Sequence, residues 1–216
     1  MKTNFKTNFF QAKQTQRLFL AVAATTSVIG SGASMAVTQT TNTPAASTRA
    51  TTATVAKPPQ VGKTAPDFQL KSISGEAVRL SKVAEQGPVV LVMLRSYPGY
   101  QCPFCTVQVG QLMSKAKQFA DAKTRVLLVY PGPGDGLKAH ADEFVKGKDM
   151  PKNFDLLLDP NYAFTNLYGL RWDSKGEISY PSTFVLDNKR KVLFAKISHG
   201  HGDRAEVGDV LAALPK

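Results

Sequence analysis

The two cysteines are the residues of this chain whose type and spacing could do redox chemistry. Cys102 and Cys105 are the only cysteines among 216 residues, and they form a Cys-Pro-Phe-Cys motif. Two thiols at this spacing can close a small disulfide, which makes them a two-electron couple. A helix N-terminus also stabilises thiolates, because its backbone N–H groups are unpaired and its dipole end is positive. We therefore predict that Cys102 and Cys105 are the catalytic residues and form a redox-active disulfide, with no bound cofactor or metal.

Other roles for a close pair of cysteines fit this sequence less well. A purely structural disulfide across so short a loop would add little stability, because it removes little entropy from the unfolded chain. A structural zinc site needs about four ligands, usually supplied as two close pairs. Only His140, His199 and His201 remain to complete such a set. The pair is better explained as a redox dithiol.

The segments around the motif predict a strand-to-helix turn. An apolar strand at 88–94 precedes the motif, and a helix from about 103 to 122 follows with apolar residues at helical spacing. Pro103 suits the first helical position, where its missing N–H costs nothing. A buried strand at 125–130 then makes this unit a parallel, right-handed crossover. The other predicted elements are a hairpin of 67–70 and 77–80, a helix near 137–147, a strand at 154–158, a helix near 161–168, a hairpin of 182–187 and 191–196, and a helix at 207–214.

These elements predict an α/β domain with a central mixed β-sheet and helices on both faces. The sheet should be parallel where the crossover lies and antiparallel in the later hairpin. The domain should extend from 59 to 216, which is long enough for a single hydrophobic core.

The N-terminal segment has the pattern of a signal peptide. Four basic residues precede the short apolar run 18–24, and small residues follow to a cleavage site after Ala36, with Ala33 as second choice. We predict a signal peptide at 1–36, although an uncleaved anchor or a transit peptide remains an alternative. Residues 37–58 are rich in Thr, Ala and Pro and predict a flexible linker. The protein should then be exported to the periplasm or outside the cell, with no stable membrane span after cleavage and a tether if cleavage fails.

The charge pattern argues against nucleic acid as a partner. The formal net charge is +11, and residues 1–36 contribute four of these charges. In the domain the basic residues are scattered, apart from one cluster at 189–191 that reads as a solvated hairpin turn. A basic stripe interleaved with aromatic residues, which nucleic-acid binding would require, is lacking.

Several segments together resemble the alkyl hydroperoxide reductase/thiol-specific antioxidant branch of the thioredoxin superfamily. Residues 62–68 (Gly-Lys-Thr-Ala-Pro-Asp-Phe) are similar to the family's opening Gly-x-x-Ala-Pro-x-Phe. Further landmarks are similar at 75–81, 159–160, 168–169 and 183–187. The resemblance implies a thioredoxin-like fold with an N-terminal β-hairpin. It also implies a thiol-based oxidoreductase with an antioxidant role, which reduces peroxide through the Cys102/Cys105 couple; with the predicted signal peptide, this enzyme would be exported.

The motif departs from the usual peroxiredoxin signature at one position. Residues 98–105 match Pro-x-x-x-Thr/Ser-x-x-Cys, except that Cys102 stands where the hydroxyl residue belongs. The resemblance implies that Cys105 is the peroxidatic cysteine and that Cys102 is its resolving partner. It also implies that Pro98 and Thr183 support the active site.

A second departure concerns the family's active-site arginine, which would stand two residues before the Thr-Phe of the late strand. This chain has Pro181 there. Residues 180–183 instead resemble the cis-proline loop of thioredoxins, which predicts a cis bond at Pro181, with a trans proline at a strand start as the alternative. Arg95, a predicted supporting residue, or Arg171 could take over the role of the missing arginine.

The sequence is therefore compatible with two activities. A peroxidase would reduce peroxide, whereas a thioredoxin-like protein disulfide reductase would use Cys102 to attack a substrate disulfide and Cys105 to release it. Either would need a thiol or disulfide reductant protein, or a small thiol, as its partner. A third hypothesis is a copper carrier of this fold, because soft thiolates suit Cu(I) and His199 or His201 could add a ligand.

Overall fold

The computed structural model describes residues 56–216. These residues form a compact unit. The predicted signal peptide at 1–36 and nearly all of the predicted linker at 37–58 lie outside the described residues. Within 56–216, no helix is both long enough and apolar enough to cross a membrane.

Seven strands and six helices make up the described part of the chain. The strands are β1 (Gln69–Ser72), β2 (Ala77–Arg79), β3 (Val89–Met93), β4 (Arg125–Gly132), β5 (Phe154–Pro160), β6 (Ser182–Leu186) and β7 (Val192–Ile197). The helices are α1 (Leu80–Ala84), α2 (Pro103–Ser114), α3 (Ala116–Asp121), α4 (Leu137–Val145), α5 (Ala163–Leu167) and α6 (Val207–Ala212).

The strands form one mixed sheet in the order β2-β1-β5-β4-β3-β6-β7. Strand β4 pairs in parallel with β3 and with β5, and the other pairs are antiparallel. The parallel pairing predicted for the crossover is confirmed, since α2 and α3 connect the parallel strands β3 and β4. The Cys-Pro-Phe-Cys motif therefore follows the carboxyl end of β3, which lies inside the sheet between β4 and β6.

The central strands are buried on both faces, and alternate residues pack into two separate cores. Val90 and Val92 of β3 pack in the same core as Val109 and Leu112 of α2. The intervening Leu91 packs on the opposite face, in the core that includes residues of α1 and α5. The predicted mixed sheet with helices on both faces is therefore confirmed.

The predicted helix at 103–122 is divided into two helices. Lys115 leaves helical geometry at φ −108° and ψ 13°, and its N–H bonds to the carbonyl of Leu112 at 3.0 Å. The break redirects α3 so that Phe119 is fully buried, with its ring centroid 6.3 Å from that of Phe154. Tertiary packing has thus overridden a helical pattern that is continuous in the sequence.

The prediction of a cis bond at Pro181 is wrong, because every peptide bond in residues 56–216 is trans. Pro181 lies immediately before β6, and its carbonyl accepts a hydrogen bond from the N–H of Ser198 at 2.9 Å. That bond extends the pairing of β6 and β7 to the start of the strand. A proline at the first position of a strand needs no ladder N–H, so the trans alternative fits.

Candidate active site

Cys102 occupies the N-cap position of α2, and Pro103 follows at the first helical position. The Cys102 backbone is extended, at φ −69° and ψ 112°, so its side chain turns back over the first helical turn. Its Sγ accepts a hydrogen bond from the N–H of Cys105 at 3.4 Å. A sulfur in this position receives one of the unpaired N–H groups of the helix as well as the positive end of its dipole. Local sequence alone therefore builds a site that favours a thiolate.

Cys105 lies three residues further on, inside the first turn of the helix. Its Sγ accepts a hydrogen bond from the backbone N–H of Arg95 at 3.3 Å, which links the helix to the chain leaving β3. Both cysteines are only 1% exposed. They are free thiols in this structure and are not at disulfide distance, so it holds the pair in its reduced form.

The two thiols are electrostatically unequal. A hydrogen bond from the Cys105 thiol lowers the pKa of Cys102, and the Cys105 N–H and the charges of Arg204 and Arg95 act in the same direction, against the opposing effect of burial. Donating that hydrogen bond raises the pKa of Cys105, and deeper burial adds to the effect. These effects favour the thiolate on Cys102 over a thiolate on Cys105.

Arg204 is the cationic side chain in direct contact with both sulfurs. Its Nη2 lies 3.8 Å from the Sγ of Cys102 and 3.8 Å from the Sγ of Cys105. Its Nε and Nη1 are buried and find no hydrogen-bond partner among residues 56–216. A buried guanidinium with donors to spare, held against a thiolate, can bind an oxygen atom that approaches the sulfur.

Neither Arg95 nor Arg171 brings its guanidinium to the sulfurs. That of Arg95 is buried and bonds to Glu177 at 2.7 Å, Tyr100 at 3.1 Å and the carbonyl of Gly176 at 3.0 Å. The guanidinium of Arg171 donates to the carbonyl of Ile178 and lies over the ring of Tyr162. Arg95 contacts the site through its backbone N–H and adds its charge without a contact to the sulfurs, whereas the charge of Arg204 is in direct contact with them.

The other predicted supporting residues lie around the site and not on the sulfurs. Thr183 is buried in β6, where its Oγ1 accepts a hydrogen bond from Nε2 of Gln108, which lies one turn beyond Cys105 in α2. This bond ties the catalytic helix to the sheet. Pro98 is half-buried in the segment between β3 and α2, and Pro181 lies immediately before β6.

The histidines do not assemble a metal site with the cysteines. Within residues 56–216, no group of three or more His, Cys, Asp or Glu side chains is placed to hold a metal ion. His201 bonds to Glu177 at 2.8 Å, His199 packs against the ring of Tyr180, and His140 stacks on Tyr97 with ring centroids 3.8 Å apart. The copper-carrier hypothesis therefore receives no support from the geometry.

Sequence reasoning missed three residues that shape this site. Arg204 and Glu177 come from loops, and Gln108 comes from the buried side of α2. The motif at 199–202 drew attention to its histidines, whereas Arg204, two residues later, has no distinguishing spacing. Only the position of α2 beneath this loop shows that Arg204 matters.

Comparison with known proteins agrees with the fold. The sequence profile of the AhpC/TSA family matches residues 61–195. A Mycobacterium tuberculosis protein, provisionally named a peroxiredoxin, is 30% identical over 152 residues, which cover 68% of this chain and 93% of that protein. Chloroplastic peroxiredoxin Q of Oryza sativa subsp. japonica is 32% identical over 133 residues, which cover 62% of this chain and 57% of that protein. The crystal structure of peroxidoxin BcpB from Mycobacterium tuberculosis superposes with a TM-score of 0.60 at 27% identity, covering 72% of this chain and 96% of that one.

This chain belongs to the AhpC/TSA family, in the thioredoxin superfamily. It is a peroxiredoxin-like, thiol-dependent peroxidase, an oxidoreductase that takes electrons from a thiol reductant and delivers them to a peroxide.

Proposed function

We propose that this protein is an exported peroxidase in which Cys102 and Cys105 cycle between a dithiol and a disulfide. The observation that carries the proposal is the contact of Arg204 with both sulfurs at 3.8 Å, at the N-terminus of α2. This contact supplies a positive charge that Pro181 cannot provide at the family's usual position. Export rests on the signal-peptide pattern of residues 1–36.

The cycle has three balanced steps. A thiolate attacks one oxygen of the peroxide, the O–O bond breaks, and a sulfenic acid and a hydroxide or alkoxide form. The alkoxide or hydroxide takes up a proton and leaves as an alcohol or water. The second thiol then condenses with the sulfenic acid, so that an S–S bond forms and water leaves. Two electrons from an external thiol protein or small thiol reduce the disulfide through a mixed disulfide.

Within this cycle we assign the first attack to Cys102. Its pKa is lowered by the Cys105 hydrogen bond, the helix N–H and Arg204, so it is the sulfur ionised at neutral pH. Cys105 keeps its proton and is ready to resolve the sulfenic acid. The family position would assign these roles the other way round, so the order of attack is the property that most needs measurement.

The burial of the dithiol favours a small substrate. Both cysteines are 1% exposed, although Tyr100 and Phe104 beside them are 51% and 46% exposed. A peroxide group needs to bring only two oxygen atoms to the sulfur. A protein disulfide would need to bring a second polypeptide backbone to the same point, which requires the surrounding side chains to move.

A second candidate function is reduction of protein disulfides, which the low pKa of Cys102 favours. A thiolate at the first position of the motif is the attacking group in thiol–disulfide exchange, and the second thiol then releases the product. The two functions share the same couple and differ in the substrate that reaches Cys102.

The test is to offer the reduced full-length protein each substrate in turn and to trap what forms. We expect the reduced protein alone to consume one equivalent of hydrogen peroxide. With dithiothreitol as the reductant, we expect it to consume hydrogen peroxide catalytically. With peroxide, Cys105→Ser should accumulate a sulfenic acid on Cys102 that a dimedone probe labels, because serine cannot resolve it. The control variant Cys102→Ser should consume peroxide much more slowly.

Each other outcome has a definite meaning. If the probe labels Cys105 in Cys102→Ser but does not label Cys102 in Cys105→Ser, the first attack belongs to Cys105. Rapid reduction of a disulfide-bonded protein such as insulin, with peroxide consumed no faster than by free thiol, would replace the peroxidase by the disulfide reductase. Unchanged turnover of both substrates in both variants would remove the dithiol from the mechanism.

A further inference from the structure

Glu177 lies between two basic side chains that come from different parts of the chain. Its Oε2 accepts a hydrogen bond from Nε of Arg95 at 2.7 Å, and its Oε1 bonds to Nε2 of His201 at 2.8 Å. The Glu177 side chain is 13% exposed. One carboxylate thus joins the segment that leaves β3 to the loop that follows β7.

The roles of the two partners of Glu177 follow from its ionisation. Burial alone would raise the pKa of Glu177, but the hydrogen bonds from Arg95 and His201 and their charges outweigh it and hold the pKa below its ordinary value. A carboxylate has only acceptor oxygens, so the proton in the second bond belongs to Nε2 of His201. His201 therefore donates, and this bond fastens its loop to Glu177.

The fastened loop is the one that carries Arg204. Gly202 packs against Phe104, whose ring carbon lies 3.4 Å from where a Cβ on residue 202 would stand. Asp203 bonds to Lys196 of β7 at 2.6 Å. Arg204 comes next and reaches both sulfurs. With glycines at 200 and 202, the loop has little intrinsic stiffness, so these contacts determine where Arg204 lies.

The same carboxylate keeps Arg95 away from the thiolate. With Glu177, Tyr100 and the Gly176 carbonyl as partners, the Arg95 guanidinium is fully engaged at a distance from the sulfurs. Its backbone N–H, by contrast, touches Cys105. The division of labour between the two arginines therefore depends on one acidic residue.

We propose that Glu177 and His201 are positioning residues, which hold the loop 198–206 so that the guanidinium of Arg204 lies against the sulfurs of Cys102 and Cys105. The consequence for peroxide turnover rests on the proposed function. The consequence for thiolate ionisation does not rest on the proposed function, so the positioning role and the peroxidase function can be refuted separately.

The test measures thiolate ionisation in the reduced full-length protein, by the absorbance of thiolate near 240 nm as a function of pH. His201→Ala is the informative change, because it removes the loop anchor and leaves the Glu177 charge beside Arg95. We expect the pKa of Cys102 to rise by about 1, most of the rise that Arg204→Met produces, since the same charge is displaced. His201→Gln keeps a donor that can reach Glu177 and should restore most of the wild-type value.

A matched control is available in the same loop. His199→Ala removes a histidine that packs on Tyr180, and it should leave the pKa of Cys102 unchanged. In the Arg204→Met background, His201→Ala should cause no further rise, because a positioning residue acts through the residue it positions. Circular dichroism and thermal unfolding check the fold of each variant, and His201→Asn, which is too short to reach Glu177, replaces His201→Ala if that variant unfolds.

Two results would overturn the proposal. One is a wild-type pKa of Cys102 in folded His201→Ala or His201→Asn. The other is a rise in the pKa of Cys102 on His201→Ala that is equal in the wild-type and Arg204→Met backgrounds. If the titrations behave as expected but no variant or wild type reduces peroxide, the positioning role stands and the peroxidase function fails.

Discussion

Replacement of Arg204 by methionine removes the positive charge at the sulfurs while keeping a side chain of similar length. Two unit charges about 4 Å apart attract by roughly 4 kcal/mol at an effective dielectric constant near 20. Arg204 lies 3.8 Å from each sulfur, so this is the upper limit of its effect on the thiolate. About 1.4 kcal/mol changes a pKa by one. Because solvent reaches part of the Arg204 residue and screens its charge, we expect Arg204→Met to raise the pKa of Cys102 by about 1 to 2.

The expected effect on the peroxidase rate depends on which sulfur attacks. In the wild type, the hydrogen bond from the Cys105 thiol lowers the pKa of Cys102 to about 5. A rise of about 1.5 would leave about three-quarters of Cys102 ionised at pH 7, so ionisation alone costs less than about twofold in rate. Cys105 ionises well above its ordinary pKa. If Cys105 attacked, the same rise would reduce the reactive thiolate by about 30-fold at pH 7.

The assay is stopped-flow oxidation by hydrogen peroxide at pH 7 and at pH 9, beside the 240 nm titration. At pH 9 Cys102 is ionised in both proteins, so any rate difference that remains reports the interaction of Arg204 with the developing oxygen charge. We expect a remaining loss of about 10- to 100-fold, in keeping with loss of a charged donor at a transition state. Arg204→Lys is the matched control. It should restore part of the lowering of the Cys102 pKa, but a smaller part of the oxidation rate, since a lysine ammonium cannot donate two parallel hydrogen bonds as a guanidinium can.

An unchanged pKa of Cys102 in a folded Arg204→Met protein would refute the reasoning. It would mean that the loop does not hold the guanidinium on the sulfurs in solution. A lower pKa would be equally damaging, because removal of a nearby positive charge can only destabilise a thiolate.

Three further predictions concern the fold and the dithiol. Asp159→Ala should lower the free energy of unfolding by about 2 to 4 kcal/mol in chemical denaturation, because it leaves two N–H groups and the hydroxyl of Thr165 without their buried acceptor. The control Asp142→Ala, which breaks the exposed ion pair with Lys138, should change the free energy of unfolding by less than about 1 kcal/mol. A chain beginning at Pro59 should unfold at the same temperature as the chain from Val37, as judged by calorimetry, and a clear loss would show that 37–58 stabilises the domain. Reaction of the reduced protein with iodoacetamide should rise with pH in step with ionisation of a single thiol well below pH 8, and mass mapping should find the first label on Cys102, because that sulfur holds the charge of the pair.

The fold could largely be predicted from sequence because its signals are local. Apolar runs such as 88–94 and 125–130 identify buried strands, and a helix between them leaves only a right-handed parallel crossover. The break at Lys115 could not be predicted, since 103–122 keeps one helical pattern and only the burial of Phe119 against Phe154 divides it. The cis bond predicted before Pro181 is wrong for a similar reason: the resemblance indicates cis, whereas strand pairing with Ser198 accommodates trans.

The position of the dithiol, at the N-terminus of α2, can be read from the sequence. Cysteine spacing, Pro103 and the preceding strand are all encoded within about twenty residues, so local rules suffice to place them. The charge that contacts the sulfurs, by contrast, depends on how the folded chain brings distant segments together. Arg204 is separated from Cys102 by about a hundred residues, and nothing in its own segment distinguishes it from Arg95 or Arg171. Its role arises because β7 leads the chain back over α2, where Glu177 and His201 fasten the loop and leave the guanidinium facing the thiolate.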